Sequence, residues 1–256
     1  MLSPTTTIFS ITMSTYTFLV GMGILISGGV VLLNTPSRQR AKVVDMLLVG
    51  LVGALVLGRI EHVLLNWGHF SFHTDEIIQF RQGGIDWHGA LIGAGLGMLL
   101  VNRWRKVSMT LVISRLALAI PLIGFLAWWG CGSTSCAYGA EVETLSAYPS
   151  WLVWEGRDIF GLFAPRFRSQ MMGMVLCGLL FLLTLFLIWR SWLVQGRFSL
   201  ILLLFALIMF SLGFIRGDFA VRWGGLRADQ WLDLCVVILS LVGFVFEKSK
   251  DNAIVQ

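Results

Sequence analysis

The chain has 256 residues, 57% of them hydrophobic and 13% charged, with a mean hydropathy of +0.81 and a net charge of +5. A soluble domain of this size carries roughly twice that charged fraction, so the composition excludes a soluble globular protein and describes one embedded in a bilayer. The basic residues are scattered rather than gathered with aromatic platforms, which excludes a nucleic-acid-binding surface; topology and phosphate binding are the uses left for them.

The N-terminal "MLSPTTTIFSITMS" has no basic stretch and no small-residue cleavage pattern, so it does not read as a removed signal peptide. Roughly 20 apolar residues cross a bilayer. On that rule the sequence predicts an all-α membrane protein with about seven spans, at 15–33, 43–66, 84–102, 108–130, 170–189, 198–215 and 231–246. The chain reads as a single polytopic domain over 1–256. Basic clusters follow the first, third and seventh spans ("SRQRAK", "RWRK", "EKSK"), and Arg190 and Arg197 flank the loop after the fifth. All fall on one side, which the positive-inside rule makes cytoplasmic. The N-terminus is then outside and the C-terminus inside. Two outer segments, 131–169 and "RGDFAVRWGGLRADQ", carry arginines against that rule.

Charged side chains deep in hydrocarbon cost a few kcal/mol or more, so they default to function or buried pairing. Arg59 lies about 12 Å inside the second span at 1.5 Å per residue, with Glu61 and His62 in the next turn. Arg59 and Glu61 suit either a buried pair or an arginine reaching up to headgroups. His88 opens the third span from the same outer side, Gln170 opens the fifth there, and Arg216 closes the sixth. Arg115 lies nearer the inner side and does not join them. Gly89, Gly93 and Gly97 share one helical face, which admits another helix or an acyl chain at close range.

These residues lie in a longer pattern. "RIEHVLLNWGHFSFHTDEIIQFRQGGIDWHGALIG" resembles the prolipoprotein diacylglyceryl transferases, whose second span carries an arginine and whose third opens on Gly-Gly-x-x-x-His-Gly. Arg59, Gly83, Gly84, His88 and Gly89 match as they stand. Pro165, Arg166, Ser169 and Gln170 match a Pro-Arg-His-Pro-Ser-Gln segment, "RADQWLDLCVVIL" is similar to the Gly-Gln-Trp-Leu-Ser opening of the last span, and Tyr16 falls on a first-span tyrosine. The resemblance covers nearly the whole chain in order. It implies a seven-span enzyme of the bacterial inner membrane with an outside N-terminus. The implied reaction moves a diacylglyceryl group from phosphatidylglycerol to the lipobox cysteine of a prolipoprotein, leaves glycerol 1-phosphate, and uses no cofactor.

Its chemistry assigns roles. A thiol attacks as thiolate and needs a proton acceptor, for which His88 is suited. The leaving phosphate needs cations or N–H donors. Arg59 and Arg216 are the candidate holders, Gln170 and Tyr16 candidate headgroup contacts, and Arg166, Arg168 and Tyr138 loop contributors. Membrane lipids complete the expected partners.

The departures are specific. The family's Gly-Arg-Ile-Gly-Asn-Phe-x-Asn-Gly-Glu signature reads "AWWGCGSTSC" here, with Trp128, Cys131 and Cys136 at the arginine, asparagine and glutamate positions. Cys131, Cys136, Tyr138 and Gly139 resemble a divergent branch with a Gly-Cys…Cys-x-Tyr-Gly loop. Sixth-span tyrosine, glycine and arginine positions hold Phe205, Ala206 and Met209, and the next glutamate is Gly213; Arg216 survives. The lost arginines leave open a non-catalytic phospholipid- or partner-binding member of the same fold. A transporter would show matched broken helices in two halves, and no such symmetry is present.

Cys131 and Cys136 lie outside, where a disulfide is one reading; unpaired structural thiols or a catalytic thiol are the others, since spacing does not fix geometry. Two thiols with no adjacent histidine do not make a zinc site. The segment 131–169 reads as an amphipathic arm on the outer membrane surface, for substrate docking or interfacial anchoring.

Overall fold

The computed structural model of the protein describes residues 3–8, 11–80, 83–107 and 109–254. Its helices are α1 (Thr15–Leu33), α2 (Ser37–Leu65), the short α3 (Trp67–Phe70), α4 (Trp87–Arg105), α5 (Met109–Leu116), α6 (Ala119–Thr134), α7 (Ser169–Trp189), α8 (Arg197–Leu212) and α9 (Ala228–Ile254). Among the described residues three antiparallel hairpins accompany them: β1 (Thr5–Ile8) with β2 (Ile11–Ser14), β3 (Val153–Arg157) with β4 (Phe163–Phe167), and β5 (Arg222–Trp223) with β6 (Leu226–Arg227).

Among the described residues, five helical stretches are long and apolar enough to cross a membrane: Thr15–Leu33, Ser37–Leu65, Val112–Thr134, Ser169–Trp189 and Ala228–Ser249. Of the other two expected spans, α8 is apolar but has only 16 residues, and α4 ends in the polar Asn102-Arg103-Trp104-Arg105. Large apolar side chains such as Leu25 and Leu239 point outward, 77% and 71% exposed. Water would penalise such a surface, and lipid tails would not.

The residues gather into two compact units, 28–113 with 220–232, and 1–27 with 114–219 and 233–256. In the first, α2 and α4 lie backbone against backbone. A Cβ added to Gly93 would overlap the Gly53 carbonyl, and one added to Gly53 would overlap that of Gly93; Gly97 meets Val49 in the same way. In lipid no hydrophobic force gathers helices, so small residues that permit dispersion contact between backbones carry the packing. The buried glycine face is therefore filled by α2, and the acyl chain considered for it has no room there.

In the second unit α6 packs on α7 and α8. The Trp128 ring covers Gly173, and the Phe205 ring and Cys177 Sγ cover Gly124. The segment expected as an amphipathic arm instead folds its charged half into the β3–β4 hairpin, paired from Val153↔Phe167 to Arg157↔Phe163. Asp158 closes the turn: its Oδ1 accepts the N–H groups of Phe160 (2.8 Å) and Leu162 (2.9 Å).

Candidate active site

In the unit of residues 28–113 and 220–232, α2 and α4 bring four expected polar residues together. Arg59 is 5% exposed. Its Nε donates to Ile77 O (2.9 Å), Nη1 to Gly83 O (2.6 Å) and Gly84 O (3.1 Å), and Nη2 to Glu76 O (2.6 Å). Phe70 and Phe80 flank the guanidinium, with ring centroids 5.2 and 5.9 Å away. Arg59 thus gathers the carbonyls of the α3–α4 connection. Gly83 and Gly84 sit at φ 86° and 79°, a conformation only glycine adopts without strain, and a side chain at 84 would collide with Arg59 and His62. That explains the Gly-Gly at the opening of the third span.

Arg59 and Glu61 do not pair. Positions i and i+2 of a helix face apart, and Glu61 turns to α4 instead. Its Oε1 lies 3.1 Å from His88 Nδ1, with the two side chains 11% and 4% exposed, and its Oε2 accepts the N–H of Gly89. The Trp87 ring lies 4.1 Å from that of His88, centroid to centroid. His62 Nδ1 is 3.4 Å from Asp86 Oδ2, the residue just before α4.

A recess of about 230 Å³ opens among Arg59, His62, Asn66, His69, Glu76 and the two glycines. At its rim His69 Nε2 meets Glu76 Oε2 at 2.8 Å. The hydrogen bond from His69 holds the Glu76 carboxyl below its ordinary range, against a smaller opposing effect of burial. Sequence reasoning singled out neither residue; polar side chains in short turns between spans carry no periodic signal.

In the other unit the altered signature loop is a built structure. Cys131 and Cys136 form a disulfide. Gln170 Nε2 donates to the carbonyls of both, at 3.3 and 2.8 Å, and Ser169 Oγ donates to Ala137 O at 2.6 Å. The start of α7 thereby clamps the loop. Tyr16 packs at the same place, since a Cβ on Gly130 would meet Tyr16 Cα at 2.7 Å.

Arg166, expected at the membrane surface, is 4% exposed. Its Nη2 reaches Glu141 Oε1 (2.7 Å) and Asp158 Oδ2 (3.2 Å), and its Cζ lies 5.1 Å from the Tyr138 ring centroid. Burial first, then Asp158 and Asp218, raises the Tyr138 phenol above its ordinary value, so it is a hydroxyl donor at neutral pH. Arg216 pairs with Gly139 in an isolated antiparallel bridge and forks onto Asp218, Nε to Oδ1 at 2.9 Å and Nη2 to Oδ2 at 2.5 Å. Arg168 Nε donates to Val153 O at 3.2 Å, and its Cζ lies 5.5 Å from the Trp154 ring centroid.

Among the described residues, Arg227 is a buried cation that sequence reasoning did not single out. Arg227, 2% exposed, is held by Asp229 (Nε to Oδ1, 3.0 Å), and its backbone N–H is received by Gln230 Oε1 at 3.0 Å. The arginines at 166 and 227 that break the positive-inside pattern are thus neutralised inside the fold.

The sequence profile of the family described as prolipoprotein diacylglyceryl transferase matches residues 5–246. A phosphatidylglycerol–prolipoprotein diacylglyceryl transferase of Clostridium novyi (strain NT) is 27% identical over 252 residues, 96% of each chain. One of Listeria monocytogenes (serotype 4b, strain CLIP80459) is 27% identical over 95% of this chain and 88% of its own. Another, of Clostridioides difficile (strain 630), is 24% identical over 96% of each. A profile match spanning almost the whole chain settles descent: the chain belongs to the prolipoprotein diacylglyceryl transferase family.

Proposed function

We propose that the protein transfers the diacylglyceryl group of phosphatidylglycerol to the lipobox cysteine of prolipoproteins. The end-to-end family match over residues 5–246 carries this reading. The buried imidazole–carboxylate contact between His88 and Glu61 supplies the chemistry it needs.

The acceptor thiol gives its proton to His88, and the sulfur attacks the glycerol carbon that bears the phosphate ester. A C–S bond forms and the C–O bond to phosphate breaks. The bonding electrons leave with the phosphate oxygen, and the proton passes from His88 to the released glycerol 1-phosphate or to water. Negative charge grows on that phosphate and calls for cations and hydroxyl donors. The family resemblance assigns Arg216 to that charge, with Arg168 and Tyr138 as loop contributors. Arg59 serves by fixing the Gly83–Gly84 turn, and Gln170 and Tyr16 by fixing the disulfide loop.

The chain sits in the bacterial cytoplasmic membrane with seven spans, α4 and α8 joining the five long stretches. The N-terminus and residues 131–169 face outward. The disulfide favours this orientation, because such bonds persist in oxidising compartments.

The test is complementation of a bacterium depleted of its own diacylglyceryl transferase, followed by the gel shift that marks lipoprotein maturation. Wild type is expected to rescue, and His88→Ala, at equal membrane abundance, to lose at least about a hundredfold in lipidation rate. Failure of the inserted wild type to lipidate any lipobox substrate would leave the lipid-binding reading in its place.

A further inference from the structure

We propose that Glu61 is the positioning residue of His88, fixing the imidazole with its proton on Nδ1 so that Nε2 is the basic atom. The inference rests on the proposed role of His88 as base and adds the residue that sets its tautomer.

A neutral imidazole carries one N–H, on either nitrogen, and its surroundings decide which. A carboxylate only accepts. Glu61 Oε1 lies 3.1 Å from Nδ1 as a charge contact rather than an aligned hydrogen bond, and its negative charge favours the proton at Nδ1 and leaves the lone pair on Nε2. The carboxylate is itself fixed in place, because its Oε2 takes the Gly89 N–H from the helix that carries His88. The interlocked glycines of α2 and α4 hold the two helices at this spacing, and Trp87 limits the tilt of the imidazole ring. Once His88 has taken the thiol proton, the same carboxylate balances the imidazolium. A carboxylate this buried is costly unless it is paired, so a passive space-filler would not be a glutamate.

Glutamine at 61 separates this role from a merely structural one. Its oxygen must face the Gly89 N–H, because an amide NH₂ there would oppose another donor. The NH₂ then points at Nδ1 and forces the His88 proton onto Nε2. Packing is kept and the tautomer is reversed.

The experiment uses full-length protein labelled with ¹⁵N-histidine in detergent micelles, with the His88 signals assigned by their loss in His88→Ala. Two-bond ¹⁵N–¹H correlations report the tautomer, and transfer from phosphatidylglycerol to a lipobox peptide is measured in parallel. We expect the proton on Nδ1 in wild type and on Nε2 in Glu61→Gln. Glu61→Gln should lower kcat about a hundredfold, with KM for phosphatidylglycerol changed less than about twofold. Glu61→Asp, which keeps the charge, should recover at least about a tenth of the wild-type kcat. An unchanged tautomer in Glu61→Gln, or wild-type kcat with the tautomer reversed while His88→Ala is inactive, overturns the proposal. If the tautomer reverses while His88→Ala remains active, Glu61 still positions the ring and the base assignment is what fails.

Discussion

Leucine in place of Gly93 is expected to prevent the protein from accumulating as a folded species, whereas leucine in place of Gly95, on the same helix, is expected to be tolerated. At 93 the first added carbon already overlaps the Gly53 carbonyl and approaches Ala54 N; at 95 nothing lies within 4 Å of it. The obstruction at 93 is backbone on a neighbouring helix, which cannot rotate away as a side chain can. The cost exceeds the ~1–3 kcal/mol of ordinary overpacking and has no hydrophobic compensation in lipid. Size-exclusion chromatography of detergent-extracted membranes reads the outcome directly. A monodisperse Gly93→Leu protein with wild-type thermal stability would mean that α2 and α4 do not pack through their glycines.

Arg59→Lys is expected to be nearly as damaging as Arg59→Ala, destabilising the α3–α4 connection by about 3 kcal/mol. The guanidinium serves the carbonyls of Glu76, Ile77, Gly83 and Gly84 in three directions. An ammonium keeps the charge but cannot span that fork, and buried carbonyls left without donors are penalised individually. Limited proteolysis should open the chain between residues 71 and 86 in both variants and leave wild type intact. A residue serving only as a phosphate ligand would behave differently. Its lysine variant would keep the connection closed and only weaken lipid binding.

The sequence made some of this architecture plain and hid the rest for identifiable reasons. Long apolar runs announced α1, α6 and α7, because a span must be apolar over its whole length. α2 begins at Ser37, six residues before the apolar span expected from 43, since "SRQRAK" is too polar to count toward a span although nothing in it breaks a helix. The fourth span is interrupted between α5 and α6, after Leu116, within a run whose hydropathy gives no sign of it. The β3–β4 hairpin carries a glycine and a proline within its strands, Gly156 and Pro165, and so lacks the alternation that marks a strand.

At the site, the polar residues were legible one by one, because charge in a span is conspicuous. Their partners were not. Arg59 and Glu61 look like a pair on paper, yet helical phase separates them. Glu61 finds His88 on another helix, and Arg59 finds backbone carbonyls that have no signature in a sequence. Gln170, read as a headgroup contact, holds the carbonyls of the disulfide cysteines, an arrangement visible only once the loop has closed.

The most direct test of the central claim is reconstitution. Purified protein would be mixed with phosphatidylglycerol and a synthetic lipobox peptide, with peptide mass and released glycerol 1-phosphate followed together. The account predicts a diacylglyceryl thioether on the cysteine, one glycerol 1-phosphate per modified peptide, and loss of both in His88→Ala. Phospholipid bound by the protein without thioether or glycerol 1-phosphate, on a peptide that a related transferase does modify, would contradict it.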